Sequence, residues 1–384
     1  MADAIPWLTT VLWPSSRVLE HGEPSEGSGL SLAALPSPTR PNKLMSPSLA
    51  GVRVLSSRFS DDRSTARTVL DGIAAGVLAA SSLVARSRRL RLSLGGEDSL
   101  VDEIRESIDP TITGAVVLCG PPRANQKPVL LLHDWRGRLG CVVKVSWNDL
   151  THDLLGREAA TLLHLERYER KGFVAPVVLG QGSCGTGQWL AMTPVVAARR
   201  AKATVQSVID LARAIEQTGE ASSHRVVASD FALRLAAAGQ ALPLTRRAVS
   251  VATSEDDDAP SDFGAGHGDF VPWNRLSGSP RPAVWDWERY EPCVPVGYDR
   301  FHDALQVALH RLSLSPAASV AAVLQWSPSL VPELSPSRAR SNALWYFASI
   351  IHRYERDAGA SGNDVIRRLA VDLCQAVESS RRAG

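Results

Sequence analysis

The sequence predicts an α+β fold in which a strand-rich part precedes a helix-rich part. Between residues 111 and 194, short runs of β-branched and other apolar residues alternate with turn-forming Gly, Pro and Asp. From residue 195 onward, apolar residues recur mostly at helical spacing, apart from the segment 260–298. Strands followed by helices, rather than strands alternating with them, are typical of α+β architectures.

Residues 1–110 are expected to form an N-terminal extension. Its first 60 residues are rich in Pro, Ser and Gly, which favours an irregular arm with a few short strands. A helix is predicted over residues 64–90 and a strand over residues 90–94. A short amphipathic helix is predicted over residues 99–108, ended by Asp109 and Pro110.

The strand-rich part, residues 111–194, is predicted to begin with an antiparallel meander. Its elements follow one another as three strands over residues 115–119, 129–133 and 141–145, a helix over 154–170, and two strands over 177–179 and 189–192. The helix-rich part then takes up residues 195–384. Three segments are therefore expected: extension, strand-rich lobe and helical lobe.

Composition excludes several classes of function. The net charge of +2 comes from many charges of both signs, so neither nucleic acid nor an anionic membrane is an expected partner. The longest apolar stretch, residues 72–85, is too short to cross a bilayer. Five scattered cysteines without metal-site spacing indicate reduced thiols, and the N-terminus has no secretory pattern, so a cytoplasmic location is expected.

Residues 266–274 read GHGDFVPWN, and this segment carries the chemistry. Asp269 is the candidate that orients an acceptor hydroxyl and takes its proton during phosphoryl transfer. Asn274, five residues later, and Asp286, in the run Val-Trp-Asp-Trp-Glu, offer the hard oxygen ligands that Mg²⁺ requires. The sequence thus predicts a metal-assisted phosphotransferase site.

The spacing H-G-D-x-x-x-x-N followed by an apolar-Asp-Trp-Glu block resembles the catalytic core of the aminoglycoside phosphotransferase-like family. The resemblance covers about residues 111–305 and implies a protein-kinase-like, two-lobed fold. It implies transfer of the γ-phosphate of ATP, with Mg²⁺, to a hydroxyl of a small molecule such as an aminoglycoside, choline or a sugar. Gly268 stands where protein kinases have Arg, and no Ala-Pro-Glu-like element follows, which is similar to the small-molecule branch.

Lys144 and Glu158 are the candidates for holding the ATP phosphates. Lys144 is one of only five lysines and lies in an apolar strand, where its charge needs a partner. Glu158 falls early on the following helix, and a strand Lys paired with a helix Glu is the ion pair of kinase-like folds. The alternative is a surface Lys and an exposed Glu, since Glu166 and Glu169 follow on the same helix.

Arg123 and Lys127 lie in the turn 120–128, at the place of the Gly-rich loop of protein kinases. The glycine fingerprint is absent, so these two side chains either reach phosphate oxygens or belong to a solvated turn.

Other residues near the motif are expected to be structural. His267 is expected to brace the loop and Asp299 to cap a helix or brace the same loop. The neighbouring tryptophans are expected to pack around the loop. The acidic run at residues 255–258 is expected to form a solvated, flexible loop, and the alternative is a patch that attracts a polycationic acceptor such as an aminoglycoside.

A second function of a different class remains open. The chain could be a non-catalytic nucleotide-binding or scaffold protein that keeps the kinase-like fold. The set of Asp269, Asn274, Asp286, Lys144 and Glu158 favours the enzyme, because only nucleotide chemistry requires all five.

Overall fold

The computed structural model divides the chain into two compact units. Unit 1 contains residues 1–166 and 175–196, and unit 2 contains residues 167–174 and 197–384. The structure describes Leu12, Ala50, Gly51, Val54, four strands before residue 95, and residues 100–380 with gaps at 120–124, 169–171, 186, 196–202, 257 and 280.

Unit 1 is built on an antiparallel sheet. Its described strands are β1 (Ser16–Val18), β2 (Gly29–Leu35), β3 (Lys43–Met45), β4 (Arg89–Leu94), β5 (Gly114–Leu118), β6 (Val129–His133), β7 (Leu139–Ser146), β8 (Val178–Cys184) and β9 (Gly187–Met192). They are arranged in the order β1-β4-β2-β3-β5-β6-β7-β9-β8. The predicted meander is confirmed as β5, β6 and β7, in which Val117 pairs with Leu130 and Leu130 with Val143.

The strands of the extension belong to the same sheet. Strand β3 pairs with β5, which places Leu44 beside Val117 and continues the sheet toward the N-terminus. The predicted strand over residues 90–94 is confirmed as β4. The helix predicted over residues 64–90 falls outside the described residues except for its last two, which lie in β4. The division into three segments stays a prediction.

Two described helices of unit 1 lie between these strands in sequence, one before β5 and the other before β8. Helix α1 (Leu100–Ser107) buries Leu100 and Ile104, one turn apart, in the apolar core of the sheet. Helix α2 spans Asp149–Glu166, not residues 154–170. The start is earlier than predicted because Asn148 caps it: Asn148 Oδ1 accepts the Thr151 N–H at 2.8 Å, and Thr151 Oγ1 accepts the Asn148 N–H at 3.0 Å.

Unit 2 is mainly helical, as predicted. Its described helices are α3 (Val205–Glu216), α4 (Asp230–Ala238), α5 (Pro243–Ser254), α6 (Tyr298–Gln306), α7 (Pro316–Leu330), α8 (Pro336–Ser361) and α9 (Asp364–Ser380). Short strands β10 (Ser222–His224), β11 (Ser261–Gly266) and β14 (Glu291–Pro295) form one antiparallel sheet, and β12 (Arg275–Leu276) pairs with β13 (Ala283–Val284). The predicted α+β class, with a strand-rich unit followed by a helix-rich one, is confirmed.

The core of unit 2 forms around helix α8. The sequence starts this helix with Ser335 as the N-cap, which accepts the Arg338 N–H, and with Pro336 at the first helical position. Its middle turns bury Trp345, Tyr346 and Phe347 among the other helices. This helix is therefore fixed in place beside β11 and α6, which carry the site.

All five cysteines lie within the described residues and are free thiols, as expected. Among the described residues, no helix combines the length and apolar character needed to cross a membrane.

Candidate active site

The candidate residues of unit 1 form a buried ion pair. Lys144 lies on β7 between Val129 of β6 and Leu190 of β9, and Glu158 lies on α2. Lys144 Nζ donates to both carboxylate oxygens of Glu158, at 2.6 and 2.7 Å. The Glu158 side chain is fully buried and that of Lys144 is 10% exposed. The alternative of a surface Lys and an exposed Glu is therefore wrong, while a role in phosphate binding stays a prediction.

The turn before β6 is only partly described. Arg123 lies outside the described residues, and Lys127 is half-buried. The chain next to Lys127 is fixed by Gln126, whose carbonyl accepts the Trp147 indole N–H at 2.8 Å and whose side-chain amide donates to the Cys119 carbonyl. Phosphate contacts by Arg123 and Lys127 stay a prediction.

In unit 2, the loop between β11 and β12 is fixed through its backbone by Asp299. This buried side chain lies in the first turn of α6 and accepts the His267 N–H at 2.6 Å and the Gly268 N–H at 3.0 Å. Burial raises the pKa of Asp299 to about 7, while the two backbone donors oppose that rise. Asp299 braces the loop, in agreement with the role expected for it.

Position 268 requires glycine. Its φ is +79°, and a Cβ there would lie 1.9 Å from the carbonyl oxygen of Arg289. A larger residue would therefore clash with backbone as well as strain the left-handed conformation. The arginine that protein kinases carry at this position cannot be accommodated.

His267 is a neutral brace within the loop. It is fully buried, its Nδ1 accepts the Asp269 N–H at 3.2 Å, and its Nε2–H donates to the Trp285 carbonyl at 3.1 Å. Burial lowers the pKa of His267 to about 4, so the ring is uncharged at neutral pH. Its two hydrogen bonds connect the Asp269 backbone to the chain just before Asp286, which agrees with the structural role expected of it.

Asp269 is held on both carboxylate oxygens and still reaches solvent. Oδ1 accepts from His302 Nε2 at 3.2 Å and lies 3.4 Å from a guanidinium nitrogen of Arg353, and Oδ2 accepts from Asn274 Nδ2 at 3.0 Å. Its side chain is 31% exposed. Burial raises the pKa of Asp269, but the His302 hydrogen bond and the Arg353 charge outweigh it and hold the pKa well below its usual range. Asp269 is thus a carboxylate at neutral pH.

The hairpin of β12 and β13 brings the two candidate metal ligands to one end. Arg275 pairs with Val284, so Asn274 directly precedes the hairpin and Asp286 comes two residues after that pair. The Trp285 N–H donates to the Asn274 carbonyl at 3.0 Å, and this hydrogen bond holds the two chain segments together at the end of the hairpin. Asn274 Nδ2 also donates to the Asp269 carbonyl at 3.1 Å. Because its nitrogen is committed to Asp269, the side-chain oxygen of Asn274 is the atom that can serve as a ligand.

Asp286 has a backbone conformation that is uncommon for a residue with a side chain. Its φ is 74° and its ψ is 54°, in the left-handed region. Such a conformation costs about 1–2 kcal/mol and persists only where the surroundings impose it. The following residue, Trp287, is fully buried, stacks on Phe173 and donates its indole N–H to the Val284 carbonyl at 3.0 Å. This packing fixes the chain on which Asp286 lies.

Trp273 departs from the expected packing role. It is 38% exposed, and its ring makes an edge-to-face contact with His310 at 5.8 Å. Trp287 is buried, as expected.

The acidic run is not a purely solvated loop. The Asp256 side chain is only 4% exposed, and its Oδ1 accepts from Arg338, Ser341 and the Trp345 indole. Asp258 remains exposed and pairs with Arg225. Asp256 is therefore part of the unit 2 core, because burial of its charge is balanced by Arg338.

Arg353 and Tyr346 complete the site, and the sequence motif does not indicate them. Both lie on α8, more than 70 residues after the loop. Arg353 donates to the Gly268 carbonyl at 2.6 Å, and the Tyr346 hydroxyl lies 3.0 Å from Nδ1 of His302. For His302 a weak signal exists, since it follows Asp299 by three residues on one helix.

Comparison with known proteins gives structural neighbours only. No family model matches the chain, and no curated protein matches it. A thermostable mutant of the aminoglycoside phosphotransferase APH(4)-Ia is 15% identical with a TM-score of 0.48, and the match covers 73% of this chain and 99% of that one. An aminoglycoside-3'-phosphotransferase of type VIII is 18% identical with a TM-score of 0.40, and the match covers 64% of this chain and 97% of that one. The spectinomycin phosphotransferase APH(9)-Ia is 12% identical with a TM-score of 0.34, and the match covers 65% of this chain and 93% of that one. At these identities and TM-scores, the account of the site rests on this chain's own residues. By their names, two of these neighbours are phosphotransferases of aminoglycosides and one is a phosphotransferase of spectinomycin.

Proposed function

We propose that this chain is an ATP-dependent phosphotransferase that moves the γ-phosphate to a hydroxyl of a small molecule. The observation that carries the proposal is the state of Asp269. Its carboxylate is anionic, held on both oxygens, and 31% exposed. A buried structural carboxylate has no need of a solvent-facing edge, whereas a residue that orients an acceptor hydroxyl requires one.

Asp269 acts on the acceptor hydroxyl. Its carboxylate accepts the hydrogen bond of the hydroxyl, which points the oxygen at the phosphorus, and it receives the proton as the new bond forms. A low pKa suits this role, because transfer through a loose transition state needs the proton removed late. The hydrogen bonds to Asp269 and the charge of Arg353 stabilise its ionised form before the proton is transferred.

The side-chain oxygens of Asn274 and Asp286 are suited to binding Mg²⁺. Asn274 offers its side-chain oxygen, since its nitrogen is committed to Asp269, and Asp286 offers a carboxylate at the same end of the hairpin. Two hard oxygen donors, with the remaining positions left to phosphate and water, suit Mg²⁺. When bound, the ion supplies positive charge that offsets the charge on the β- and γ-phosphate oxygens.

Lys144 and Glu158 form the nucleotide-binding part of the proposal. The two short hydrogen bonds fix Lys144 Nζ at one point, and its ammonium is proposed to bind a phosphate oxygen there. Lys127 and Arg123 are proposed as further phosphate contacts from the turn before β6.

The acceptor is proposed to be a small molecule, similar to an aminoglycoside, choline or a sugar. Gly268 excludes the arginine that reads a phosphorylated activation loop in protein kinases, and this exclusion is steric. No such regulatory switch is required when the substrate is a small molecule.

Phosphoryl transfer from radiolabelled ATP tests the proposal. The purified chain is incubated with Mg·ATP and a panel of aminoglycosides, amino alcohols and sugars, and labelled products are separated from ATP. With the best acceptor, Asp269→Asn is expected to reduce kcat by about 10²–10⁴-fold while the affinity for Mg·ATP stays within about twofold. Asp262→Asn, an exposed carboxylate on β11, serves as the matched control and should leave kcat unchanged.

Wild-type kcat in Asp269→Asn would refute the proposed role. Nucleotide binding without transfer to any compound of the panel would favour the non-catalytic scaffold instead.

A further inference from the structure

His302 is buried between Asp269 and Tyr346, with both ring nitrogens occupied. Nε2 lies 3.2 Å from Asp269 Oδ1, and Nδ1 lies 3.0 Å from the Tyr346 hydroxyl. The His302 side chain is fully buried and Tyr346 is 1% exposed. The roles proposed above for Asp269, Asn274 and Asp286 leave this His–Tyr pair without a function.

The direction of these hydrogen bonds follows from the chemistry of the three groups. A carboxylate only accepts, so His302 Nε2 must carry a proton and donate to Asp269. Burial lowers the pKa of His302 and, together with the charge of Arg353, outweighs the opposing hydrogen bond to Asp269, so the ring is neutral at pH 7. Nδ1 of the neutral ring then has a lone pair, and the Tyr346 hydroxyl must donate to it. The chain runs from Tyr346 to His302 to Asp269.

We propose that His302, oriented by Tyr346, is a positioning residue that fixes the Asp269 carboxylate in the orientation needed for phosphoryl transfer. This inference rests on the proposed function. The Asp269 side chain can rotate, and among the described residues Asn274 is the one that donates to Oδ2. The hydrogen bond from His302 fixes Oδ1 as well, so that rotation of the carboxylate is restricted at both oxygens.

Helix α6 provides this support twice. Asp299, in its first turn, fixes the loop backbone at His267 and Gly268, and His302, one turn later, fixes the side chain of Asp269. Arg353 contacts both the loop backbone and the side chain of Asp269, because it donates to the Gly268 carbonyl and lies 3.4 Å from Asp269 Oδ1. His302 is therefore a better residue to substitute than Arg353, since both hydrogen bonds described for its ring are made with side chains, those of Asp269 and Tyr346.

The kinetic test uses Mg·ATP alone, with water as the acceptor, and measures ADP formation. His302→Leu removes the donor and is expected to lower kcat by about 10–10²-fold, with the KM for Mg·ATP within about twofold. His302→Gln keeps an N–H near the position of Nε2 and should recover most of that loss. Tyr346→Phe keeps the ring and removes only the hydroxyl, and should give an intermediate kcat.

A merely structural role would not produce this pattern. Equal kcat in wild type and His302→Leu would overturn the proposal, and so would a His302→Gln variant as slow as His302→Leu. Unfolding midpoints of all variants, measured without nucleotide, separate a loss of fold from a loss of positioning.

NMR of the ¹⁵N-histidine-labelled chain without nucleotide tests the pair independently of turnover. The His302 signal is assigned as the one lost in His302→Gln. At pH 7 it is expected to show the neutral ring protonated at Nε2, with the Nδ1 signal shifted in Tyr346→Phe. A ring protonated at Nδ1, or an imidazolium, would overturn the proposal. The proposed function is decided separately by the transfer assay with the acceptor panel, and this spectrum decides whether His302 donates to Asp269 whatever that assay shows.

Discussion

Removal of Glu158 should destabilise unit 1 far more than removal of an exposed carboxylate. In Glu158→Leu the ammonium of Lys144 loses the carboxylate to which it donates at 2.6 and 2.7 Å. The Lys144 side chain is 10% exposed, so water can replace little of this interaction. Breaking a buried pair by removing one partner costs about 3–5 kcal/mol. We expect about 3 kcal/mol, at the lower end, because of that residual exposure.

The double variant Lys144→Met/Glu158→Leu separates stability from function. Replacing both charges by apolar residues removes the desolvation penalty, so its free energy of unfolding should return to within about 1 kcal/mol of wild type. Its affinity for Mg·ATP should nevertheless be lost, because Lys144 is the proposed phosphate ligand. Stability would thus recover while binding does not.

Urea titration followed by far-UV circular dichroism and tryptophan fluorescence measures these differences. Asp102→Asn is the matched control in the same unit, since Asp102 pairs with Arg105 at 2.7 Å on α1 but both side chains are at least 40% exposed. It should cost less than about 0.5 kcal/mol. A Glu158→Leu variant as stable as this control would refute the burial argument. A double variant as unstable as Glu158→Leu would refute charge burial as the cause.

Two further predictions concern unit 2. Gly268→Ala should lower the free energy of unfolding several times more than Gly362→Ala, as measured by thermal unfolding. Both positions have a positive φ, which costs alanine about 1 kcal/mol of strain, but only at position 268 would the new Cβ clash with a backbone atom, the Arg289 carbonyl oxygen at 1.9 Å. Equal losses of stability in the two variants would contradict this. Partial burial raises the pKa of Glu333, but hydrogen bonds from Arg300 and a second arginine outweigh it and lower the pKa to about 2, below its ordinary 4.5. The stabilisation of the fold by the ionised Glu333 is therefore complete above pH 4.5 and is lost as the pH falls toward 2. In Glu333→Gln the free energy of unfolding should fall less steeply over this pH range than in the wild type. The same pH dependence in both proteins would contradict the ion pair.

Local sequence patterns were sufficient to predict much of this molecule. The meander of β5 to β7 follows from β-branched runs and turn residues that are neighbours in sequence, and the pair Lys144–Glu158 from a strand and the helix after it. Asp269 and Asn274 were found because their spacing within one loop is itself the chemical requirement.

Long-range contacts could not be predicted from the same patterns. From α8, Arg353 reaches Gly268 of the loop and Tyr346 reaches His302, and nothing in the local sequence of that helix indicates partners 85 and 44 residues earlier. The pairing of β3 with β5 across about 70 residues is equally non-local, so the extension gave no sign of joining the sheet. The prediction for Asp256 is wrong because its burial depends on Arg338, which lies on α8, about 80 residues later.

The central claim is that this chain holds a nucleotide together with Mg²⁺ through Asp286. The most direct measurement is the unfolding midpoint of wild type and Asp286→Ala with and without ATP, each with and without Mg²⁺. At about a hundred times its dissociation constant a ligand adds about 2.7 kcal/mol of stability, which is readily seen as a raised midpoint. We expect a shift in wild type that requires Mg²⁺ and is lost in Asp286→Ala. A wild-type midpoint that no nucleotide changes, or a shift that survives in Asp286→Ala, would contradict the account.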